Sequence, residues 1–167
     1  DGLYELVGAN WEKSQQDPAD FPVVERTKEK PSGTVDRQEF MVNMERAGTA
    51  AAREKMRYAL NGVLIDARED GTARLVATDG RRMTVSNIAY KGKPFRVIVP
   101  TKAIRTMRSL AGGRFTIRNE AEGPMIQFDG ENGSVVARKV EGTFPNFEEV
   151  IPNEFRHQVV FNKDALL

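Results

Sequence analysis

Three similar junctions, each a strand followed directly by the start of a helix, recur along the chain. The strands end at Val35, Val99 and Phe161, so the intervals are 64 residues (99 − 35) and 62 residues (161 − 99). A Phe-Pro pair recurs at about twice that interval, since Pro22 and Pro145 are 123 residues apart (145 − 22). Short matches also arise by chance, but near-equal spacing of several features is typical of an internal repeat. The sequence therefore predicts two half-units of strand, helix and further strands, with a new unit beginning near residue 158.

Each half-unit contains one amphipathic helix. Asp36 and Glu39 have the spacing of a capping box, and the apolar residues that follow them predict a helix ending near Gly48. A second helix is predicted over residues 101–111, ended by Gly112 and Gly113. Around these helices the period changes to two, which predicts strands over 59–66, 73–78, 83–89, 95–100, 114–119, 124–128 and 133–140. The predicted fold class is α+β, with two helices packed on antiparallel sheets.

The composition excludes several kinds of site. The 167 residues include no cysteine and one histidine, which leaves no thiolate nucleophile, no sulfur-based metal site and little scope for histidine-based catalysis. We expect neither a cofactor nor a metal. The net charge is +1, so any binding to nucleic acid depends on local clustering of basic residues. There is no long apolar run and no signal-peptide pattern, which favours a cytoplasmic protein without a membrane partner.

Two basic clusters are candidates for such binding. Lys102, Arg105 and Arg108 recur every third residue of the second helix, opposite its apolar stripe. The second cluster lies in the loop after the first helix and consists of Arg53, Lys55, Arg57 and Tyr58. A cationic row on a helix can approach phosphates without reading bases. The simpler interpretation, an ordinary solvated helix face, stays open on the residues alone.

Four segments in a fixed order resemble the bacterial sliding clamps, the beta subunits of DNA polymerase III. The segments are 57–64, 76–83, 97–102 and 141–147, the last followed by 150–152. The resemblance covers the central domain of that family over residues 34–153. Residues 1–33 resemble the end of the preceding domain and a linker, and residues 154–167 the start of the following domain. Since the chain opens at Asp1 and stops within what reads as a helix start, we expect a piece of a longer protein.

The resemblance implies a DNA-clamp fold and a non-catalytic subunit of the DNA polymerase III holoenzyme. Such a processivity factor is a homodimeric ring around duplex DNA, whose sequence it does not read, and this fragment alone would be monomeric. The implied protein partners are polymerase subunits, the clamp loader and other proteins with a clamp-binding motif. By position, the residues implied to contact DNA are Arg53, Arg57, Tyr58, Lys102, Arg105 and Arg108.

The resemblance also implies part of a groove that holds a short apolar peptide of each client protein. By position, its residues here are Leu60, Thr78, Gly80, Arg81, Arg82, Met83, Pro145 and Val150. Leu60 and Met83 are equally consistent with plain core packing. Glu149 departs from the family, in which this position is often basic. Because the rest of the groove belongs to the following domain, we expect this piece to bind peptide weakly or not at all.

Two alternatives remain. A clamp-like β-rich interaction module would share the fold without encircling DNA. An enzyme would require a carboxylate cluster for metal-assisted hydrolysis, for which the candidates are Asp66, Glu69, Asp70 and Asp79. Each of these carboxylates lies at a turn or strand end, where local hydrogen bonding explains it better.

Overall fold

The computed structural model describes residues 26–52, 58–152, 154 and 156–165. Over this part of the chain, two α-helices and nine strands follow one another. They are β1 (Gly33–Asp36), α1 (Arg37–Gly48), β2 (Gly62–Ala67), β3 (Thr72–Thr78), β4 (Met83–Ala89), β5 (Lys91–Gly92), β6 (Phe95–Pro100), α2 (Thr101–Met107), β7 (Arg114–Asn119), β8 (Met125–Gly130) and β9 (Gly133–Arg138). This order confirms the two predicted half-units.

The strands form two antiparallel sheets. The first strand of each half-unit pairs with a strand of the other half-unit. The five-stranded sheet has the order β5-β1-β7-β8-β9, and the four-stranded sheet has the order β4-β3-β2-β6. Strand β1 opens the first half but pairs with β7 of the second half, placing Val35 opposite Phe115. Strand β6 opens the second half but pairs with β2 of the first, placing Val63 opposite Val99. Each half therefore completes a sheet of the other.

Both helices bury their apolar stripes against the strands. Phe40 of α1 is 0% exposed and packs against two aromatic rings of the five-stranded sheet. Its ring centroid lies 6.1 Å from that of Phe115, edge to face, and 5.7 Å from that of Phe128. From α2, Ile104 and Met107 join the same cluster. The predicted α+β class with two helices packed on antiparallel sheets is thereby confirmed, and the opposite faces of both helices remain in solvent.

The four-stranded sheet is covered on both faces. Alternate residues of β2, such as Val63 and Ile65, belong to the main core beneath the helices. Leu64, which lies between them, faces outward into a second cluster that contains Phe144 and Phe147. The segment after β9 therefore crosses the outer face of this sheet and seals it.

Helix α1 begins at the predicted cap. The Oδ1 atom of Asp36 accepts a hydrogen bond from the backbone N–H of Glu39 at 2.8 Å. This bond satisfies one of the four amide groups that a helix start leaves without a helical partner.

Asp36→Ala is expected to lower the free energy of unfolding by about 1 kcal/mol, because the freed amide regains only water. Urea denaturation followed by circular dichroism measures the change. Gln38→Ala, an exposed change in the same helical turn, is the control and should alter stability by less than about 0.5 kcal/mol. Equal effects of the two changes would contradict a role for the cap.

The second helix is shorter than predicted. It ends at Met107, not near residue 111. The amides of Arg108, Ser109 and Leu110 bond to carbonyls three residues back, which tightens the chain out of the α-helix. The Ala111 amide then donates to Oδ1 of Asn132 at 2.5 Å, a partner that lies in the turn between β8 and β9.

Other predicted boundaries were wrong by a few residues. The strand predicted over 124–128 is Met125–Gly130, and the strand predicted over 133–140 ends at Arg138. Beyond that point the amide of Val140 turns away to the carbonyl of Ile98 in the other sheet. No strand forms over 156–162 in the described part of the chain, where a 3-10 turn, Lys163–Ala165, follows. A strand needs a partner edge, and no described strand pairs with these residues. The earlier Phe-Pro pair, at residues 21 and 22, lies outside the described residues.

Candidate nucleic-acid interface and partner groove

The two helices are joined where the second one ends. Arg37, the first residue of α1, donates from Nε to the carbonyl of Leu110 at 2.7 Å and from Nη2 to the carbonyl of Arg108 at 3.3 Å. Carbonyls that end a helix carry partial negative charge, which a guanidinium stabilises. The exposed sides of α1 and α2 are therefore held next to each other by a contact within the domain.

The three basic residues predicted on α2 are all exposed. Lys102 and Arg105 lie within the helix, and Arg108 is its C-cap residue. The predicted cationic row is therefore present, although its last member lies beyond the α-helical turns.

Arg108 differs from the other two in having a counter-charge. Its Nε lies 2.6 Å from Oε1 of Glu45 on α1, and this hydrogen bond raises the pKa of Arg108. No carboxylate of the described residues forms an ion pair with Lys102 or Arg105. Within this row, the charges most available to an external anion are consequently those of Lys102 and Arg105.

Sequence reasoning missed two charged residues of the same surface. Arg46 is exposed in the last turn of α1, and Glu45 beside it supplies the carboxylate that Arg108 binds. The helical period does place Arg46 opposite the buried Phe40 and Met44, so it could have been found. The ion pair of Glu45 could not, because its partner is 63 residues away in sequence.

The loop cluster is largely outside the described residues. Arg53, Lys55 and Arg57 fall in that gap, so their predicted approach to DNA stays a prediction. The backbone of Tyr58 begins a 3-10 turn, Tyr58–Leu60.

One side of the predicted groove is the tight turn between β3 and β4. Oδ1 of Asp79 accepts hydrogen bonds from the backbone amides of Arg81 and Arg82, which lowers the pKa of Asp79. Thr78 donates its hydroxyl to the carbonyl of Arg82 at 2.7 Å. Gly80 has a φ of +87°, a region that side chains with a Cβ rarely adopt. The glycine is thus required by the turn itself, whatever binds beside it.

Arg82, one of the predicted groove residues, already makes hydrogen bonds within the domain. Its Nε lies 3.1 Å from Oδ2 of Asp79, and its Nη2 donates to the carbonyl of Thr49 at 3.0 Å. The side chain is nevertheless 65% exposed. Arg81 is exposed as well.

The apolar residues predicted for the groove belong partly to the core. Leu60 is buried in the second cluster, and Met83 is half-buried against the same cluster. Because Leu64 pairs with Val76, residues just before β2 lie at the same end of the sheet as the Thr78–Met83 turn. The structure therefore brings Leu60 and Met83 to one end of the outer face, where packing accounts for Leu60.

The remaining groove residues lie in the segment that seals the outer face. Phe144 and Phe147 are buried, whereas Pro145 and Val150 beside them are exposed. Val150 is 69% exposed, so its side chain is accessible to a ligand.

A surface pocket that the sequence did not predict lies beside the residue that precedes Leu60. It has a volume of about 640 Å³ and is lined by Ala59, Lys139, Val140, Glu141 and Gly142. The Lys139 ammonium donates to the carbonyls of Glu120 and Gly123, and its burial lowers the pKa. This lysine therefore ties down the β7–β8 connection.

The four candidate carboxylates of an enzyme do not form a site. Asp66 pairs with Arg68 at 3.1 Å, and Asp70 accepts from the amide and hydroxyl of Thr72. Within the described ranges, no three acidic or histidine side chains converge to hold a metal ion. Neither described helix has the length and apolar composition to cross a membrane.

The fold defines this domain as a DNA-clamp domain. The solved beta subunit of DNA polymerase from Streptococcus pyogenes superposes with a TM-score of 0.79 at 25% identity, over 90% of this chain and 42% of that one. A solved sliding clamp from Pseudomonas aeruginosa, bound to griselimycin, gives a TM-score of 0.71 at 27% identity, over 81% of this chain and 38% of the clamp.

Sequence comparison leads to the same family. The profile of the DNA polymerase III beta subunit, central domain, matches residues 34–146. The beta sliding clamp of Salmonella typhimurium is 30% identical over 137 residues, which are 80% of this chain and 37% of the clamp. The chain belongs to the DNA polymerase III beta subunit family. It spans about 40% of the length of the relatives it matches.

Proposed function

We propose that this chain is the central part of a DNA sliding clamp, a ring that encircles duplex DNA and tethers replication proteins to it. The observation that carries the proposal is the exposure of Lys102 and Arg105 on the helix face of a beta-subunit domain. Neither side chain forms an ion pair with another described residue. A ring of such domains has no catalytic step of its own and acts in the cytoplasm, where the chromosome is.

The chemistry of the helix face supports sequence-independent contact. Ammonium and guanidinium groups on flexible side chains attract phosphate oxygens, which are the same along every duplex. Such a surface holds DNA loosely enough to slide.

The proposed ring is a homodimer, and each protomer contributes a domain of this kind together with further clamp domains. In this division residues 1–33 end the preceding domain, 34–153 form the central one and 154–167 begin the next. Clients of the ring are the polymerase, the clamp loader and other proteins with a short apolar motif. We propose that they bind at the Thr78–Met83 turn, Leu60, Pro145 and Val150.

Topological retention tests the proposal. An immunoblot against this chain first determines the mass of the native protein in its source organism. That native protein is then loaded onto nicked circular DNA by the clamp loader of the same organism, with ATP. A mass near three such domains and co-elution with the circle are expected. Cutting the circle once with a restriction enzyme is expected to release the protein, because a ring slides off an end.

The comparison of circle and linear DNA separates two functions. Retention that persists after linearisation would indicate ordinary binding. No retention on either DNA, with normal capture of polymerase, would favour the interaction module that does not encircle DNA.

A further inference from the structure

Within the segment that covers the outer face of the four-stranded sheet, the side chain of Glu148 is held by ion pairs. Glu148 lies in the 3-10 turn Phe147–Val150, between the buried Phe147 and the exposed Val150. The amide of Ile151 donates to the carbonyl of Glu148 at 3.4 Å, a long hydrogen bond that holds the end of this turn only weakly.

Two arginines of the sheet hold the Glu148 carboxylate. Nη2 of Arg68 lies 2.8 Å from Oε1, and the Arg74 guanidinium also donates to that oxygen. Arg68 in turn pairs with Asp66 at 3.1 Å, so two guanidinium groups meet two carboxylates. The hydrogen bond from Arg68, together with the charge of Arg74, lowers the pKa of Glu148.

Arg74 also links the Glu148 ion pairs to a buried aromatic ring. The Arg74 guanidinium carbon lies 6.0 Å from the centroid of the Phe147 ring, within the range of a cation–π contact. A single half-exposed ion pair is worth little. A network of three pairs beside a buried ring holds one geometry more firmly than an isolated surface pair does.

We propose that Glu148, clasped by Arg68 and Arg74, is a positioning residue that holds Pro145 and Val150 in place as the wall of the client groove. The inference rests on the proposed function, since it concerns the same groove. Phe144 and Phe147 anchor the segment on the sheet. The ion pairs of Glu148 with Arg68 and Arg74, here called the clasp, fix the orientation of the 3-10 turn that carries Val150. Without the clasp, Val150 would have to be ordered by each ligand at a cost in affinity.

The neighbouring carboxylate provides a matched control. Glu149 lies in the same 3-10 turn, is exposed, and accepts a hydrogen bond from Nδ2 of Asn146 at 2.7 Å. Glu148→Gln and Glu149→Gln therefore remove the same charge from adjacent positions. The described ion pairs involve the first carboxylate and not the second.

The test measures griselimycin affinity in the protein as its own cell makes it. Glu148→Gln is expected to raise Kd about fivefold, and Glu149→Gln to change it less than about twofold. Adding Arg68→Gln and Arg74→Gln to Glu148→Gln should weaken binding by less than the sum of the separate changes, because the three groups share the same ion pairs. Met83→Ala reports whether the probe occupies the groove.

Hydrogen exchange separates positioning from general stability. Faster exchange of the Val150 and Ile151 amides in Glu148→Gln, with unchanged exchange in β2 and β3, is expected. Equal affinity loss in both single variants, or wild-type affinity in Glu148→Gln, would overturn the inference. Failure of the wild type to bind the probe would overturn the proposed groove as well as the clasp's role in it.

Discussion

Changing Lys102 and Arg105 together to glutamate is expected to reduce retention on circular DNA at least about tenfold. The two cations are exposed and have no counter-charge among the described residues, so their full charge is available to phosphates. Reversal removes two attractions and adds two repulsions. The measurement is the fraction of protein that co-elutes with the circle after loading, over a series of salt concentrations. For equilibrium binding to duplex DNA, the slope of the log of the association constant against log salt should become less negative by about two, because two phosphate contacts are lost.

A matched charge reversal elsewhere provides the control. Lys91 and Lys93 are exposed at the connection between β4 and β6, away from the helices. Lys91→Glu with Lys93→Glu changes the net charge by the same amount and should leave retention within about twofold. Arg108→Glu alone should have a smaller effect than the α2 double change, since Glu45 already neutralises Arg108. If both double variants lose retention equally, net charge and not the helix face governs binding.

Phe40→Ala is expected to lower the free energy of unfolding by about 3–5 kcal/mol. The side chain is 0% exposed and contacts both Phe115 and Phe128, so its removal leaves a cavity between α1 and the five-stranded sheet. Natural domains are stable by about 5–15 kcal/mol, so the loss is a large share of the total. Urea denaturation of wild type and variant gives the difference directly.

Val42 of the same helix serves as the comparison. It is 41% exposed, and Val42→Ala should change the free energy of unfolding by less than about 1 kcal/mol. A small effect of Phe40→Ala would mean that the helix does not pack as described, whereas large effects of both changes would point to the helix itself as the weak element.

Local signals predicted most of the elements. Strands such as Met83–Ala89 and Arg114–Asn119 were predicted to the residue, because alternation and flanking turn residues act within a few positions. The end of α2 was not, because Gly112 and Gly113 suggested a C-cap while Asn132 and Arg37 supplied the actual partners. The helical period also predicted correctly that Lys102 and Arg105 are exposed.

Long-range pairings were beyond the reach of the sequence. Arg68 and Glu148 are 80 residues apart, and no local pattern marks two such residues as partners. The same holds for the pairing of β1 with β7, which depends on how the two halves meet in space. Sequence patterns therefore could not show which contacts hold the residues of the proposed groove in position.

The exchanged strands make each half of the domain an incomplete protein. A chain cut between β5 and β6 would separate β1 from β7 and β2 from β6, leaving an unpaired edge in both pieces. Exposed edges of this kind pair with whatever strand is offered. The two pieces are complements that could reassemble from separate polypeptides, because each supplies the strand that a sheet of the other lacks.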